Sequence, residues 1–243
     1  MPIQRLVVAG DAHLGAVPAR VEEALLRWLD AVPELGDGLL LNGDLFGFWF
    51  SFRRAIPREG IRVVTRLAAL ARTLPVLMTG GNHDRWGASF WEPELGIRFA
   101  PQQLEFALGS GKVIALHGDG LAEPTWRKDL KHRLVSNPLV GAGYRALPAD
   151  LGFWLTSRMG GGGEPTEQTR QLEAEAAALQ RRWAEERLRA ADSGTLLIMG
   201  HTHRASADQV FAGRRYLNPG AWLDGNRYAI ATENTLELKQ YPG

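Results

Sequence analysis

Short apolar runs recur along the 243-residue chain, separated by polar and glycine-containing segments. Short continuous apolar runs, too short for a convincing helix, are typical of strands that are buried on both faces. The runs that fit this pattern occupy residues 6–9, 39–41, 76–78, 113–116 and 196–199. Between the first three runs, apolar residues recur at helical spacing in residues 21–29 and 61–71. We therefore predict strands that alternate with amphipathic helices in an α/β layered core.

Two regions depart from this alternation. Residues 227–232 and 235–238 are strand-like and flank a Glu-Asn turn, which predicts a closing antiparallel hairpin and hence a mixed sheet or sandwich. Residues 121–192 contain no clear strand, and four glycines at 160–163 separate two parts rich in helix-forming residues. We interpret residues 121–192 as a helical insertion, or lid, in a core formed by residues 1–120 and 193–243.

The composition narrows the classes of function. The chain has no cysteine, which excludes disulfides, thiolate catalysis and cysteine-rich zinc sites. Its 28 basic and 27 acidic residues give a net charge of +1, so no overall positive field attracts nucleic acid, and no nucleic-acid partner is expected. The sequence has neither a membrane-spanning apolar run nor the apolar region of a signal peptide. These features predict a cytoplasmic protein whose metal ligands, if any, are His, Asp, Glu or Asn.

Polar motifs follow directly after the predicted strands. Because ligands collect at the carboxyl ends of strands in layered α/β folds, residues scattered along the chain are expected to converge there. Seven side chains are suitable metal ligands: Asp11, His13, Asp44, Asn82, His117, His201 and His203. Seven are too many for one ion, whereas two ions can share them if one carboxylate bridges the pair. We predict a dinuclear site in which Asp44 is the bridge.

Each motif also has an ordinary structural explanation. A Gly-Asp pair at a strand end is usually a turn, and a single histidine is more often a packing residue than a ligand. A binding protein on the same scaffold, without catalysis, is the alternative from another functional class. Such a protein is expected to have lost ligands, and none of the seven is missing here. The ordered set of five motifs therefore favours a metal site.

The motifs D-x-H, G-D, G-N-H-D, H-G-D and G-H-T-H, in this order, resemble the signature of calcineurin-like metallophosphoesterases. The resemblance implies a four-layered α/β/β/α sandwich and a metal-dependent phosphoester hydrolase. It implies that Asp11, His13 and His203 hold one ion together with Asp44. It further implies that Asn82, His117 and His201 hold the other.

Two residues beside the predicted ligands are candidates for catalysis. His83 follows the ligand Asn82 and is expected to bind substrate and to stabilise or protonate the leaving oxygen, as the resemblance also implies. Asp84 is expected to orient the imidazole of His83. The alternative for Asp84 is a turn-capping carboxylate, because aspartate readily accepts hydrogen bonds from neighbouring backbone amides. The expected nucleophile is a water molecule activated by the ions, with Asn82 binding the phosphate oxygens.

An aromatic loop at residues 45–52 opens directly after Asp44. One interpretation is core packing, and the other is a wall for acyl chains formed by Phe46 and Trp49. The insertion adds apolar residues interspersed with basic ones, which suits either a cap with a solvated basic face or an anionic lipid. Ser157 and Arg158 in the insertion are further candidates for phosphate or sugar contacts.

A narrower resemblance covers most of the chain. GDLFGFWF, GNHDRW, HGDG and a helical insertion before GHTH resemble the UDP-2,3-diacylglucosamine pyrophosphohydrolases of lipid A synthesis. That family implies cleavage to UMP and a sugar phosphate, with manganese as the usual metal, and possible contact with the inner face of the cell membrane. The best-studied branch has arginine at the position of His83, and its acidic segment after H-G-D is replaced by residues 121–124.

Two other activities remain open at this stage. The first is a phosphodiesterase or phosphatase that acts on nucleotides or other soluble phosphoesters. Nuclease activity is disfavoured, because nucleases usually carry surplus positive charge to bind the phosphate backbone. Imidazole and carboxylate ligands also accept iron, zinc or cobalt in place of manganese.

Overall fold

Two β-sheets form the centre of the protein in the computed structural model, which describes residues 2–121, 137–157 and 167–243. The first sheet has the strand order β11-β10-β1-β2-β3-β4. It contains β1 (Arg5–Ala9), β2 (Gly38–Asn42), β3 (Val76–Thr79), β4 (Arg98–Ala100), β10 (Arg227–Thr232) and β11 (Leu236–Gln240). Strands β1 to β4 are parallel, and β10 and β11 pair antiparallel as the predicted C-terminal hairpin.

The second sheet has the strand order β5-β6-β7-β9-β8. It contains β5 (Gln103–Leu108), β6 (Gly111–Leu116), β7 (Thr195–Ile198), β8 (Ser206–Phe211) and β9 (Arg214–Asn218). Strand β6 is parallel to β7, which is parallel to β9, while β5 and β8 pair antiparallel at the two edges. The apolar runs at 113–116 and 196–199 therefore lie in the middle of this sheet. The edge strand β8 has no alternation in burial that its sequence could have revealed, and β5 alternates in burial but was not among the predicted strands.

Helices cover the outer faces of both sheets. The helices described are α1 (Ala19–Leu35), α2 (Ile61–Leu70), α3 (Trp91–Leu95), α4 (Pro138–Arg145), α5 (Ala149–Ser157) and α6 (Glu167–Arg189). Helices α1 and α2 lie on the first sheet and α6 on the second. In β2, Leu39 and Leu41 pack with α1 and α2, whereas Leu40 faces the second sheet. On the far side, Ala184 and Leu188 of α6 pack on the outer face of the second sheet. Successive side chains of a strand point to opposite faces, so each apolar run supplies two layers of core at once. The predicted α/β/β/α sandwich is confirmed.

The segment between β6 and β7 carries α4, α5 and α6. The C-terminal half of α6 is buried in the core, so part of the predicted insertion at 121–192 is a layer of the sandwich. The helical nature of the segment agrees with the sequence in the residues described. Its division from the core at residues 120 and 193 stays a prediction.

Within the described ranges, no helix has both the length and the apolar character that crossing a membrane requires.

Candidate metal centre and active site

The loops that follow the central strands have a shared backbone conformation. Among the described residues, six non-glycine residues have positive φ angles, and five of them are predicted metal ligands. Left-handed backbone costs about 1–3 kcal/mol for a residue with a side chain, and such strain is concentrated at functional sites. The five ligands are Asp11 (φ 52°), His13 (48°), Asp44 (50°), His201 (67°) and His203 (56°). This conformation turns the chain sharply as each strand ends.

Asp44 lies at the centre of the cluster. Its Oδ2 is 3.2 Å from Nε2 of His117 and 3.9 Å from Nε2 of His13. Oδ1 of Asp11 is 3.3 Å from Nε2 of His203. Among the described residues, three trios have ligand atoms within 4.8 Å of one another: Asp11, His13 and His203; Asp44, His117 and His201; and His13, Asp44 and His83. The structure thus brings together the predicted ligands in the two groups that the sequence indicates, with Asp44 contacting a histidine from each.

Three buried atoms at this edge fit a cation. Oδ1 of Asp11, Oδ1 of Asn82 and Nε2 of His117 make no well-aligned hydrogen bond among the described residues, although the first lies 3.3 Å from His203 and the third 3.2 Å from Asp44. Buried polar atoms are normally hydrogen-bonded, so three unsatisfied lone-pair donors in one cluster indicate a missing ligand. Carboxylate, amide and imidazole donors together suit first-row divalent metals. The residues present therefore fit the metal that the motifs predict.

The orientation of His117 is set by Asn42, which the sequence analysis did not identify. The backbone carbonyl of Asn42 accepts a hydrogen bond from Nδ1 of His117 at 2.9 Å, which leaves Nε2 as the ligand atom. The Asn42 side chain donates to the carbonyl of Leu116 and accepts from the Thr79 hydroxyl. These bonds join β2, β3 and β6 across the two sheets. The position of Asn42 directly before Gly43-Asp44 was the only signal of this role in the sequence.

The cluster is strongly coupled electrostatically. Burial opposes ionisation of Asp44, but the neighbouring histidines, His117 foremost, together hold the pKa of Asp44 well below its usual value. Conversely, burial opposes a charge on His117, whereas Asp44 and Asp11 raise the pKa of His117 well above its usual value. Burial also lowers the pKa of His13 to about 4. A histidine must be neutral to bind a metal, so a cation competes with the proton on His117.

Comparison with known proteins decides the family. Residues 4–205 match the calcineurin-like phosphoesterase family. The chain belongs to this family. A UDP-2,3-diacylglucosamine hydrolase of Porphyromonas gingivalis is 27% identical over 254 residues, which cover 97% of each chain. The hydrolase of that name from Bordetella parapertussis is 27% identical over 201 residues, covering 82% of this chain and 77% of the relative. Among solved structures, the E. coli phosphoesterase Yfce has 17% identity and a TM-score of 0.46, covering 98% of this chain and 100% of that one.

Family membership confirms the resemblance inferred from the motifs. The chain is a metal-dependent phosphoester hydrolase, and its cofactors are divalent metal ions. The match extends from β1 through the G-H-T-H motif after β7, so it includes every loop that supplies a predicted ligand.

The contacts of His83 and Asp84 differ from those predicted. Nδ1 of His83 lies 2.7 Å from the carbonyl oxygen of Gly47, to which it donates a hydrogen bond. The Asp84 carboxylate accepts instead from the backbone amides of Gly81 (2.8 Å) and Leu45 (2.7 Å), with longer bonds from the two adjacent amides. The interpretation that Asp84 orients the imidazole is therefore corrected. Asp84 connects the loops after β2 and β3, and burial together with Asp44 raises its pKa to about 6.

The aromatic loop at 45–52 also requires a correction. Phe46 and Trp49 are completely buried and belong to the core under α1 and α2, so they do not line a substrate wall. Their ring centroids are 4.4 Å apart, and Trp49 lies 4.7 Å from Trp91 of α3. The alternative interpretation, core packing, is correct for these two rings. Of the rings in the loop, only Phe48 is not buried, and this could not be assigned without the surfaces that pack against the loop.

A second aromatic cluster, which the sequence analysis missed, is only partly buried. It consists of Phe48, Trp86 and Tyr144, with Phe48 at 5.9 Å from Trp86 and 6.0 Å from Tyr144 of α4. Phe48 adjoins Gly47, the residue that hydrogen-bonds His83. Several large apolar side chains of α4 and α5 are exposed, namely Leu139, Val140, Leu151, Trp154 and Leu155. The side chain of Ser157 and all of Arg158 lie outside the described residues, so their predicted contacts stay predictions.

Proposed function

We propose that this phosphoesterase hydrolyses UDP-2,3-diacylglucosamine to UMP and 2,3-diacylglucosamine 1-phosphate. The observation that carries the proposal is the adjacency of two features. A buried cluster of predicted metal ligands adjoins a partly exposed aromatic cluster. Gly47 lies between them, because its carbonyl accepts a hydrogen bond from His83 and the next residue along the chain is Phe48. The relatives that match this chain over most of its length carry the name of that hydrolase. A substrate with a diphosphate and two acyl chains requires both features.

The proposed cofactor is a pair of divalent ions, with manganese as the first choice. Asp11, His13 and His203 would hold one ion and Asn82, His117 and His201 would hold the other, while Asp44 would contribute to both. Cations bound there would supply Lewis-acid chemistry and lower the pKa of a water molecule towards neutrality. The unsatisfied Oδ1 of Asn82 makes its amide group available for a cation, and its NH₂ group can donate to a phosphate oxygen.

His83 is the proposed general acid. Its Nδ1–H is held by the Gly47 carbonyl, so in the imidazolium form the second proton is carried by Nε2. That proton is the one available to the leaving phosphate oxygen. The His83 ring also lies beside the predicted ligand His13, with centroids 4.8 Å apart. The acid is therefore adjacent to the cluster and is fixed by backbone rather than by another titratable side chain.

Phe48 and Trp86 are the proposed apolar contacts for the acyl chains, in place of Phe46 and Trp49. The exposed side chains of α4 and α5 extend the apolar surface, and we propose that these side chains contact an anionic membrane from which the lipid substrate is taken.

Vesicle sedimentation tests this membrane contact. Leu139→Ser combined with Trp154→Ser should reduce binding to anionic vesicles several-fold, whereas Arg66→Ser on α2 should leave it unchanged. Equal binding by both proteins would contradict membrane contact.

The substrate is tested by comparing kcat/KM for UDP-2,3-diacylglucosamine, UDP-glucosamine, cyclic nucleotides and an aryl phosphodiester. Each methylene buried by the protein contributes about 0.8 kcal/mol, or roughly fourfold, so the acylated substrate should be better by orders of magnitude. In ¹⁸O-water the label should enter UMP. Equal efficiency with and without acyl chains would refute the proposed acyl contacts. Activity confined to cyclic or aryl diesters would favour a phosphoesterase for soluble substrates.

A further inference from the structure

A buried polar network connects α6 with the loops that carry the histidine ligands. Gln180 of α6 is 1% exposed, and its neighbours in the network, Thr202 and Asn218, are buried as well. Side-chain amides are rarely buried in a helix that packs on a sheet, because each must find partners for several polar atoms. Gln180 is therefore an unusual residue at a buried position of α6, since the buried Ala184 and Leu188 of the same helix are apolar and pack against the second sheet.

Gln180 bonds to both sides of the ligand His201. Its Nε2 donates to the carbonyl of Gly200 at 3.1 Å, and its Oε1 accepts from the hydroxyl of Thr202 at 3.1 Å. Asn218 reinforces the same two groups, since its Nδ2 lies 3.2 Å from the Gly200 carbonyl and 3.2 Å from the Thr202 hydroxyl. The G-H-T-H loop is thus held from α6 on one side and from the end of β9 on the other.

Gln180 also packs against the loop that carries His117. A Cβ atom placed on Gly118 would lie 2.1 Å from Nε2 of Gln180, so only glycine fits between them. Gly118 has a φ of 106°, a region that also favours glycine. The carbonyl of His117 accepts from the amide of Gly200 at 2.9 Å, which connects the two loops directly. One side chain therefore contacts the loops of His117 and His201, which are predicted to bind the same ion.

We propose that Gln180 is a positioning residue for the metal centre, which aligns the His117 and His201 loops and connects them to α6. The proposal rests on the dinuclear site proposed above. Groups behind the direct ligands commonly contribute about 10- to 100-fold to metal affinity, because they orient the ligand atoms before the ion arrives. Since α6 belongs to the segment that also carries α4 and α5, Gln180 provides a contact between that segment and the metal ligands.

The test is calorimetric titration of the metal-free protein with Mn²⁺. Gln180→Met keeps the length and volume of the side chain but removes both hydrogen bonds. We expect the affinity for one of the two ions to fall by about 10- to 100-fold, while the other ion is bound nearly as in the wild type. Thr202→Val, which removes the hydroxyl at constant shape, should reduce the same affinity, and the double variant should lose less than the product of the two effects.

Arg181 provides a matched control on the same helix. It ion-pairs with Asp208 of β8 at 2.5 Å and lies over the ring of Tyr216, so it fixes α6 to the sheet without contacting a ligand loop. Arg181→Ala should destabilise the metal-free protein in urea but change neither metal affinity by more than about twofold.

The outcomes distinguish this proposal from the dinuclear site itself. A wild-type protein that binds fewer than two ions would overturn both. Two ions in the wild type, with unchanged affinities in folded Gln180→Met, would overturn the role of Gln180 alone. If Gln180→Met does not fold, Thr202→Val decides, and unchanged affinities in that variant would overturn the proposal.

Discussion

The strand-end cluster includes Asp44, and the aromatic loop follows that residue directly, but the side chains of the two regions have opposite surroundings. In the cluster, Asp11, Asn82 and His117 each retain a buried atom without a partner among the described residues, and most ligands have strained backbone. In the loop, Phe46 and Trp49 are surrounded by other rings and by apolar core.

This difference distinguishes polar groups that are available to bind a ligand from apolar groups that stabilise the core. A buried polar atom without a partner costs about 1–3 kcal/mol, so three atoms of ligand type left in this state in one cluster indicate that something else binds there. A buried aromatic ring with ring neighbours is already at its most favourable, and nothing further is needed to explain it. In the aromatic loop, the partly buried Phe48 is therefore the ring that we propose to contact the substrate.

Loss of a ligand is expected to have the largest effect. His117→Ala removes the imidazole closest to Asp44 and should lower kcat/KM by about 10³-fold, because both charge stabilisation and one ion are affected. Elemental analysis and Mn²⁺ titration should show weakened binding of one ion, and His203→Ala should weaken the other. Full retention of both ions by His117→Ala would contradict the assignment of this ligand.

Replacement of the proposed acid should come next. His83→Ala should lower turnover by about 10²-fold, the scale expected when a positioned proton donor is lost. Both ions should remain bound, since His83 belongs to neither of the proposed ligand sets. Steady-state kinetics with metal analysis on the same sample checks both statements, and unchanged turnover would refute the role of His83.

Replacement of Asp84 is expected to lower the stability of the protein more than its turnover. Asp84→Asn cannot accept from all the backbone amides that now bond to the carboxylate, and an unsatisfied buried amide costs about 1–3 kcal/mol. Urea unfolding should show this loss, while His83→Ala should be close to the wild type in the same assay. Turnover that falls further in Asp84→Asn than in His83→Ala would indicate that the acid has been wrongly assigned.

The smallest effect on kcat/KM is expected for the aromatic loop, where stability and activity should distinguish the two kinds of ring. Trp49→Ala should cost about 3–5 kcal/mol of stability, because it leaves a large cavity in the core. Phe48→Ala should leave stability nearly unchanged but reduce kcat/KM for the diacylated substrate about tenfold. The deacylated substrate serves as the control, and an equal loss on both substrates would argue against an acyl contact.

Much of the fold and of the site could be predicted because strand-end motifs are local in sequence. The runs at 6–9 and 39–41 are apolar on both faces, which identifies buried strands without knowledge of their partners. The glycines and the Asp, Asn and His residues that follow them form a recognisable set, because a metal demands certain donor atoms whatever the surrounding fold. Edge strands such as β8 lack both signals, and they were missed.

The contacts of individual side chains depended on the tertiary structure. By itself, the sequence indicated a layered architecture and the reaction class and predicted seven ligand positions, through apolar periodicity, ligand chemistry and the resemblance of its motifs to a known family. Only the tertiary structure decided that Asp84 accepts from backbone amides, that Gly47 orients His83 and that Gln180 reaches the His201 loop. Each of these bonds joins residues on different elements. Their distances are set by the packing of those elements, which no local pattern records.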